Sequence, residues 1–175
     1  IGVKTLRNGV DTEHFKRSLP DGKRIRKQYG IPEDALVIGN LAVFREQKCI
    51  PNWISAFEEI TLENENVYGL LVGAGPMEDE VCRLIKEKDL GEKVKLPGLQ
   101  TDTLAFYSAM DIFMMTSAFE GLPIALLEAM SAECAIVSTK AGGVVEVVRD
   151  GKDGLLCDVN SHKDLVRLTQ SLVVN

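Results

Sequence analysis

Residues 111–130, DIFMMTSAFEGLPIALLEAM, restrict the fold more than any other stretch. The apolar run at 111–116 shows no alternation and reads as a parallel strand buried on both faces. Gly121 and Pro123 then make a turn, and Pro123 suits the first helical position, where a missing N–H costs nothing. Residues 124 to about 132 are apolar on nearly all sides, which predicts a buried helix. Strand, turn and helix in that order put the helix N-terminus at the carboxyl end of a strand, where open α/β sheets bind ligands. The free N–H groups of a helix start spanning Gly121, Leu122, Pro123 (which has none) and Ile124, with the helix dipole behind them, favour a phosphate there.

Two carboxylates bracket that turn. Glu120 precedes the helix and Glu128 lies in its second turn, about 12 Å along the axis if the whole stretch were helical. A carboxylate on an apolar helix is expensive to bury unless something satisfies it. Carboxylates accept hydrogen bonds from sugar hydroxyls, so the pair suits a molecule with a sugar on either side of a phosphate group. The plainer alternative makes Glu128 a salt-bridged helix residue and Glu120 a loop carboxylate.

The remaining chain repeats the same strand–helix alternation. Buried strands are expected at 35–42, 68–72, 94–99 and 136–139, and helices at 51–63, 78–90, 101–110, 144–148 and after the cap Ser161. Trp53, Ala56, Phe57 and Ile60 recur at helical spacing and read as core. The alternation gives an α/β fold, a three-layer Rossmann-like parallel sheet with helices on both faces. Arg45 and Lys48 stand at the first strand-to-helix junction, on the ligand side. Two cations there neutralise a diphosphate, Arg by a fork of donors and Lys as a point charge. Gly73 and Gly75, after the second strand, let backbone approach a ligand closely.

The segment EGLPIALLEAM, with its two glutamates eight positions apart, resembles the signature of retaining glycosyltransferases of the GT-B fold, family four. The resemblance runs from Asn8-Gly9-Val10-Asp11, with Phe15 shortly after, to Asp153-Gly154-Leu155-Leu156. It implies the C-terminal half of such an enzyme: one nucleotide-sugar donor-binding domain over residues 1–175, with the acceptor domain upstream of Ile1. It implies that Glu128 holds the ribose and that Glu120, the catalytic candidate, holds the transferred sugar. Lys48 matches the family's phosphate lysine. The family arginine falls where this chain has Val43, so Arg45 takes its place from a neighbouring position. Leu99 borders the nucleobase. Cys49 and Glu133 replace family glycines, and Ala135 stands where a proline is common, which predicts a rearranged corner after the helix.

The implied reaction moves a sugar from a nucleotide diphosphate to an acceptor hydroxyl, on a glycan or lipid-linked sugar, with retention of anomeric configuration. Fixed cations and helix N–H groups stabilise the leaving diphosphate, so no metal and no cofactor are expected. The isolated half is expected to be inactive. A net charge of −6 argues against nucleic acid as a partner. Cys49, Cys82, Cys134 and Cys157 lack metal-ligand spacing and read as reduced thiols of a cytoplasmic protein. No apolar run spans a bilayer. The basic run at 23–27 reads as a solvated helix face, or alternatively as a peripheral contact to anionic headgroups at the inner face of the membrane.

Two other functions compete. A dinucleotide-binding oxidoreductase domain requires a glycine-rich turn after the first strand, and Gly39-Asn40-Leu41 supplies none. A degenerate, non-catalytic nucleotide-sugar module, or a nucleotide-sugar epimerase of the same fold, shares every feature above.

Overall fold

The computed structural model describes residues 8–173. Six parallel strands form one sheet: β1 (Leu36–Leu41), β2 (Val67–Val72), β3 (Val94–Gly98), β4 (Ile112–Met115), β5 (Ala135–Thr139) and β6 (Leu155–Cys157). Their order is β3-β2-β1-β4-β5-β6. Neighbouring strands pair in parallel, Leu36 opposite Val67 and Phe113 opposite Ile136, and the register shifts once, between β2 and β3. The order reverses between β1 and β4, which opens a crevice at their carboxyl ends.

Successive residues of a strand face opposite sides, and here each side has its own core. Val37, Leu70, Val72, Phe113 and Met115 pack against α1 (Leu19–Gln28), α4 (Thr103–Ala109) and α5 (Ile124–Ser131). Ile38, Leu71, Ile112, Met114 and Val137 pack against α2 (Ile50–Glu63), α3 (Glu78–Glu87) and α6 (His162–Val173). The expected three layers are therefore present. Trp53, Ala56, Phe57 and Ile60 are all fully buried, as their spacing predicts.

The amino end of the sheet is fastened by charge. The Asp111 carboxylate accepts from Arg26 and from the Val37 N–H, each at 2.7 Å. Arg26 also donates to the Ala109 and Ala35 carbonyls. This corrects part of the reading of the basic run: Arg26 is a structural cation, with a side chain only 12% exposed. Lys23 and Arg24 do lie on the solvated face, paired with Glu33 and with Asp21 and Asp102.

Three further expectations are corrected. Pro123 is the residue before α5 rather than its first helical position, and it keeps an extended backbone. α5 is not buried all round: Leu126 and Ala129 face the core, while Ile124 is half exposed. The apolar outer side of α5 borders a cleft rather than another layer. Residues 142–146 form a 3-10 turn in place of a helix at 144–148, since Gly142 sits at φ +53°. The corner at Glu133, in contrast, keeps the geometry that a glycine would adopt. Glu133 takes φ +60°, and Cys134 N–H still reaches the Ala129 carbonyl at 3.0 Å, closing the helix. Asn175, where the last helix was expected to continue, lies outside the described residues.

Candidate functional site

A cleft of about 280 Å³ opens where β1 and β2 end and α5 begins. Leu41, Ala42 and Val43 form one wall, and Val72 and Gly73 the floor. Leu99 and Gln100 close the outer side, and Ile124, Ala125 and Glu128 of α5 face them, with Lys48 beside them. Gly73 is required there. Its φ of +134° is one that side chains avoid, and a Cβ would lie 1.9 Å from the Ala42 carbonyl oxygen.

Lys48 ends a 3-10 turn at Glu46–Lys48 that follows β1. The loop after β4 holds this turn in place. Ala118 N–H donates to the Gln47 carbonyl at 2.8 Å, and the Thr116 hydroxyl, 3.0 Å from both the Lys48 and Cys49 carbonyls, shares its one proton between them. The Lys48 ammonium then meets Glu120 Oε1 at 2.6 Å. Ser117 Oγ donates to the same oxygen, also at 2.6 Å. The Glu120 side chain is 6% exposed and that of Lys48 21%. Glu120 is therefore not a free loop carboxylate; it is sunk beneath the cleft and holds the lysine that lines it.

Glu128 meets different surroundings. Its Oε2 accepts from the Tyr107 hydroxyl of α4 at 2.8 Å, and no ion pair to it is found among the described residues. Tyr107 is fully buried, and burial followed by the Glu128 charge pushes its pKa far above the ordinary phenol value. It remains a neutral donor throughout the physiological range.

The expected residues divide into three groups. Lys48, Gly73, Leu99, Ile124 and Glu128 line one cleft. Glu120 touches it through Lys48, and Gly121, Leu122 and Pro123 form the turn that leads into α5. Arg45 does not join them. It is exposed, outside the cleft wall, on extended backbone before the 3-10 turn. Sequence reasoning passed over Tyr107, Gln100 and Ser117. Tyr107 was detectable in principle, because a core tyrosine hydroxyl and a carboxylate on an apolar helix each need a partner. Asn8, where the resemblance begins, donates its amide to the Leu122 carbonyl at 2.9 Å.

All four cysteines are free. Burial pushes the Cys134 thiol up to about 12 and the Cys157 thiol up to about 11. Among the described residues no group of His, Cys, Asp and Glu is placed to hold a metal ion, and no helix is long and apolar enough to cross a membrane.

Known proteins share this architecture. The fold superposes on Anabaena HepE, solved in complex with UDP and glucose, with a TM-score of 0.88 and 27% identity over 97% of this chain and 47% of that one. N-acetyl-alpha-D-glucosaminyl L-malate synthase of Bacillus anthracis is 30% identical over 158 residues, which are 90% of this chain and 40% of that protein. A Campylobacter jejuni enzyme named N-acetylgalactosamine-N,N'-diacetylbacillosaminyl-diphospho-undecaprenol 4-alpha-N-acetylgalactosaminyltransferase is 33% identical over 97 residues, 55% of this chain and 27% of that protein. The chain thus spans less than half the length of these relatives. The sequence profile described as "Glycosyl transferases group 1" matches residues 21–175. The parallel sheet, the cleft at its switch point and this match together place the chain in the glycosyl transferases group 1 family.

Proposed function

We propose that this chain is the donor-binding half of a glycosyltransferase that moves a sugar from a nucleoside diphosphate to an acceptor hydroxyl, with retention of configuration. The observation that carries the reading is the cleft itself. It sets a cation, Lys48, and a carboxylate with a free face, Glu128, around the start of α5. A diphosphate at the helix start receives N–H groups, the helix dipole and the Lys48 ammonium. The nucleoside ribose then meets Glu128, and the base lies toward Leu99 and Gln100. On the other side of the phosphates the transferred sugar meets the turn at 120–123 and the Lys48–Glu120 pair.

The leaving diphosphate gains charge as the glycosidic bond breaks, so donors already fixed in place favour that state over the ground state. Thr116 and Ala118 supply that fixity by holding the backbone on either side of Lys48. Such an arrangement works without a metal. The acceptor, a glycan or lipid-linked sugar, is met by a second domain that faces the same cleft. The lipid-linked saccharide in the name of the Campylobacter relative supports that class.

Calorimetric titration of the chain with UDP, ADP, GDP and their sugar conjugates, before and after chelator treatment, tests the proposal. One nucleoside diphosphate is expected to bind equally well in both preparations. Binding of none of them removes the donor reading, and binding lost with the chelator removes the metal-free one.

A further inference from the structure

Resting on the donor reading above, we infer that Tyr107 is a positioning residue for Glu128 and sets the preference of the cleft for an intact ribose. A glutamate side chain on a helix has rotamers that swing its carboxylate over several ångströms. Among the described residues the polar partner that limits this at Glu128 is the phenol, at 2.8 Å.

Tyr107 is itself immobile. It is fully buried on α4, with Phe15 edge-on at 6.2 Å and Phe113 tilted at 6.0 Å. Its hydroxyl therefore donates from a fixed point. The bond occupies one lone pair of Oε2 and leaves Oε1, with the second lone pair of Oε2, as acceptors on a residue that lines the cleft. Two acceptor sites side by side match the two vicinal hydroxyls of a ribose. A cationic partner in place of Tyr107 would hold the carboxylate equally well but would draw off its charge. A neutral donor fixes the direction and leaves the anion intact as an acceptor.

A merely structural role for the bond makes different predictions. If the phenol only satisfies a buried hydroxyl, Tyr107→Phe alters stability and treats every nucleotide alike. If it aims Glu128, the loss falls on ligands that carry ribose hydroxyls. The experiment measures affinity for whichever of UDP, ADP or GDP binds the unmodified chain, and for its 2′,3′-dideoxy counterpart. Tyr107→Phe is expected to weaken the ribose form about five- to tenfold, less than the full worth of a hydrogen bond to a charged group because Glu128 itself remains, and the dideoxy form less than about twofold. Glu128→Gln is measured alone and combined with Tyr107→Phe. Once the carboxylate is gone, removing the hydroxyl should add less than about twofold.

Equal weakening of both ligands by Tyr107→Phe, or full additivity of the two substitutions, overturns the inference while leaving the donor reading intact. No binding of any nucleoside diphosphate by the unmodified chain defeats the donor reading, and this inference with it. Circular dichroism and thermal melting of each variant confirm that folded proteins are compared. If Tyr107→Phe does not fold, Glu128→Asp replaces it as the test. That change draws the carboxylate back from phenol and ribose alike, so it is read as a cycle with Tyr107→Met: once Glu128 is shortened, losing the hydroxyl must add less than about twofold, and full additivity overturns the inference.

Discussion

Cys49 and Glu133, the two positions where the chain departs from family glycines, both carry left-handed backbone, at φ +47° and +60°. A side chain there costs about 1–2 kcal/mol, and glycine's greater freedom in the unfolded chain returns part of that. Glu133→Gly and Cys49→Gly are each expected to stabilise by about 1 kcal/mol, raising the melting temperature by about 2–4 °C in calorimetry. Lys48 behaves in the opposite way. Removing one member of a buried pair strands the other at about 3–5 kcal/mol, which Lys48's partial exposure lowers to about 2–3 kcal/mol. Lys48→Ala should therefore both unfold at lower urea and bind nucleotide at least about tenfold more weakly. Arg45→Ala, on an exposed side chain outside the cleft, should change stability by no more than about 0.5 kcal/mol and affinity by less than about twofold. A larger loss of affinity from Arg45→Ala would restore that arginine to the phosphate site.

At the scale of elements, the loop after β4 and the 3-10 turn at Gly142–Glu146 meet without slack. A Cβ on Gly142 would lie 1.8 Å from the Glu120 carbonyl oxygen, and one on Gly143 2.0 Å from that of Gly121. Gly143 N–H donates to the Gly121 carbonyl at 2.7 Å. Gly142→Ala should therefore push the Glu120 backbone away from Lys48. The expected result is a loss of sugar-nucleotide affinity well beyond the loss for the free nucleoside diphosphate, read by the same calorimetry. This contact shows where reading the sequence stops. Helix and strand positions were legible because apolar residues repeat with the period of the element, as at Trp53, Phe57 and Ile60. Lys48 was legible as a residue of the cleft because it falls at a strand-to-helix junction. Glu120 and Glu128 were legible as a pair, but their partners were not. Lys48, Ser117 and Tyr107 reach them across 72, 3 and 21 residues of sequence, and no period links those separations. The half-exposed α5 was misread for a related reason. Its composition records contact with apolar surroundings and cannot tell a neighbouring layer from the wall of a cleft.

For the whole molecule, the segment before α1 matters more than its lack of regular structure suggests. Arg17 donates to the Met110 carbonyl at 2.8 Å and to the Glu133 carbonyl at 3.1 Å, tying the ends of α4 and α5 together. Phe15 packs on Tyr107, and Asn8 holds the Leu122 carbonyl. A fragment cut to residues 21–175 keeps every strand and helix interior, yet it strips donors from those carbonyls. Hydrogen bonds from a charged group contribute about 1.5–3 kcal/mol, so the cut fragment should melt several degrees lower and bind nucleotide more weakly. Equal melting of the cut and uncut chains would show that the segment is dispensable. The boundary of a domain can thus be drawn in two ways that need not agree. The match to the family profile marks one beginning, at residue 21. Mechanical integrity begins earlier, at residues whose work is done on carbonyls some hundred positions downstream. Anyone excising this unit for expression or fusing it to another should cut by the second boundary.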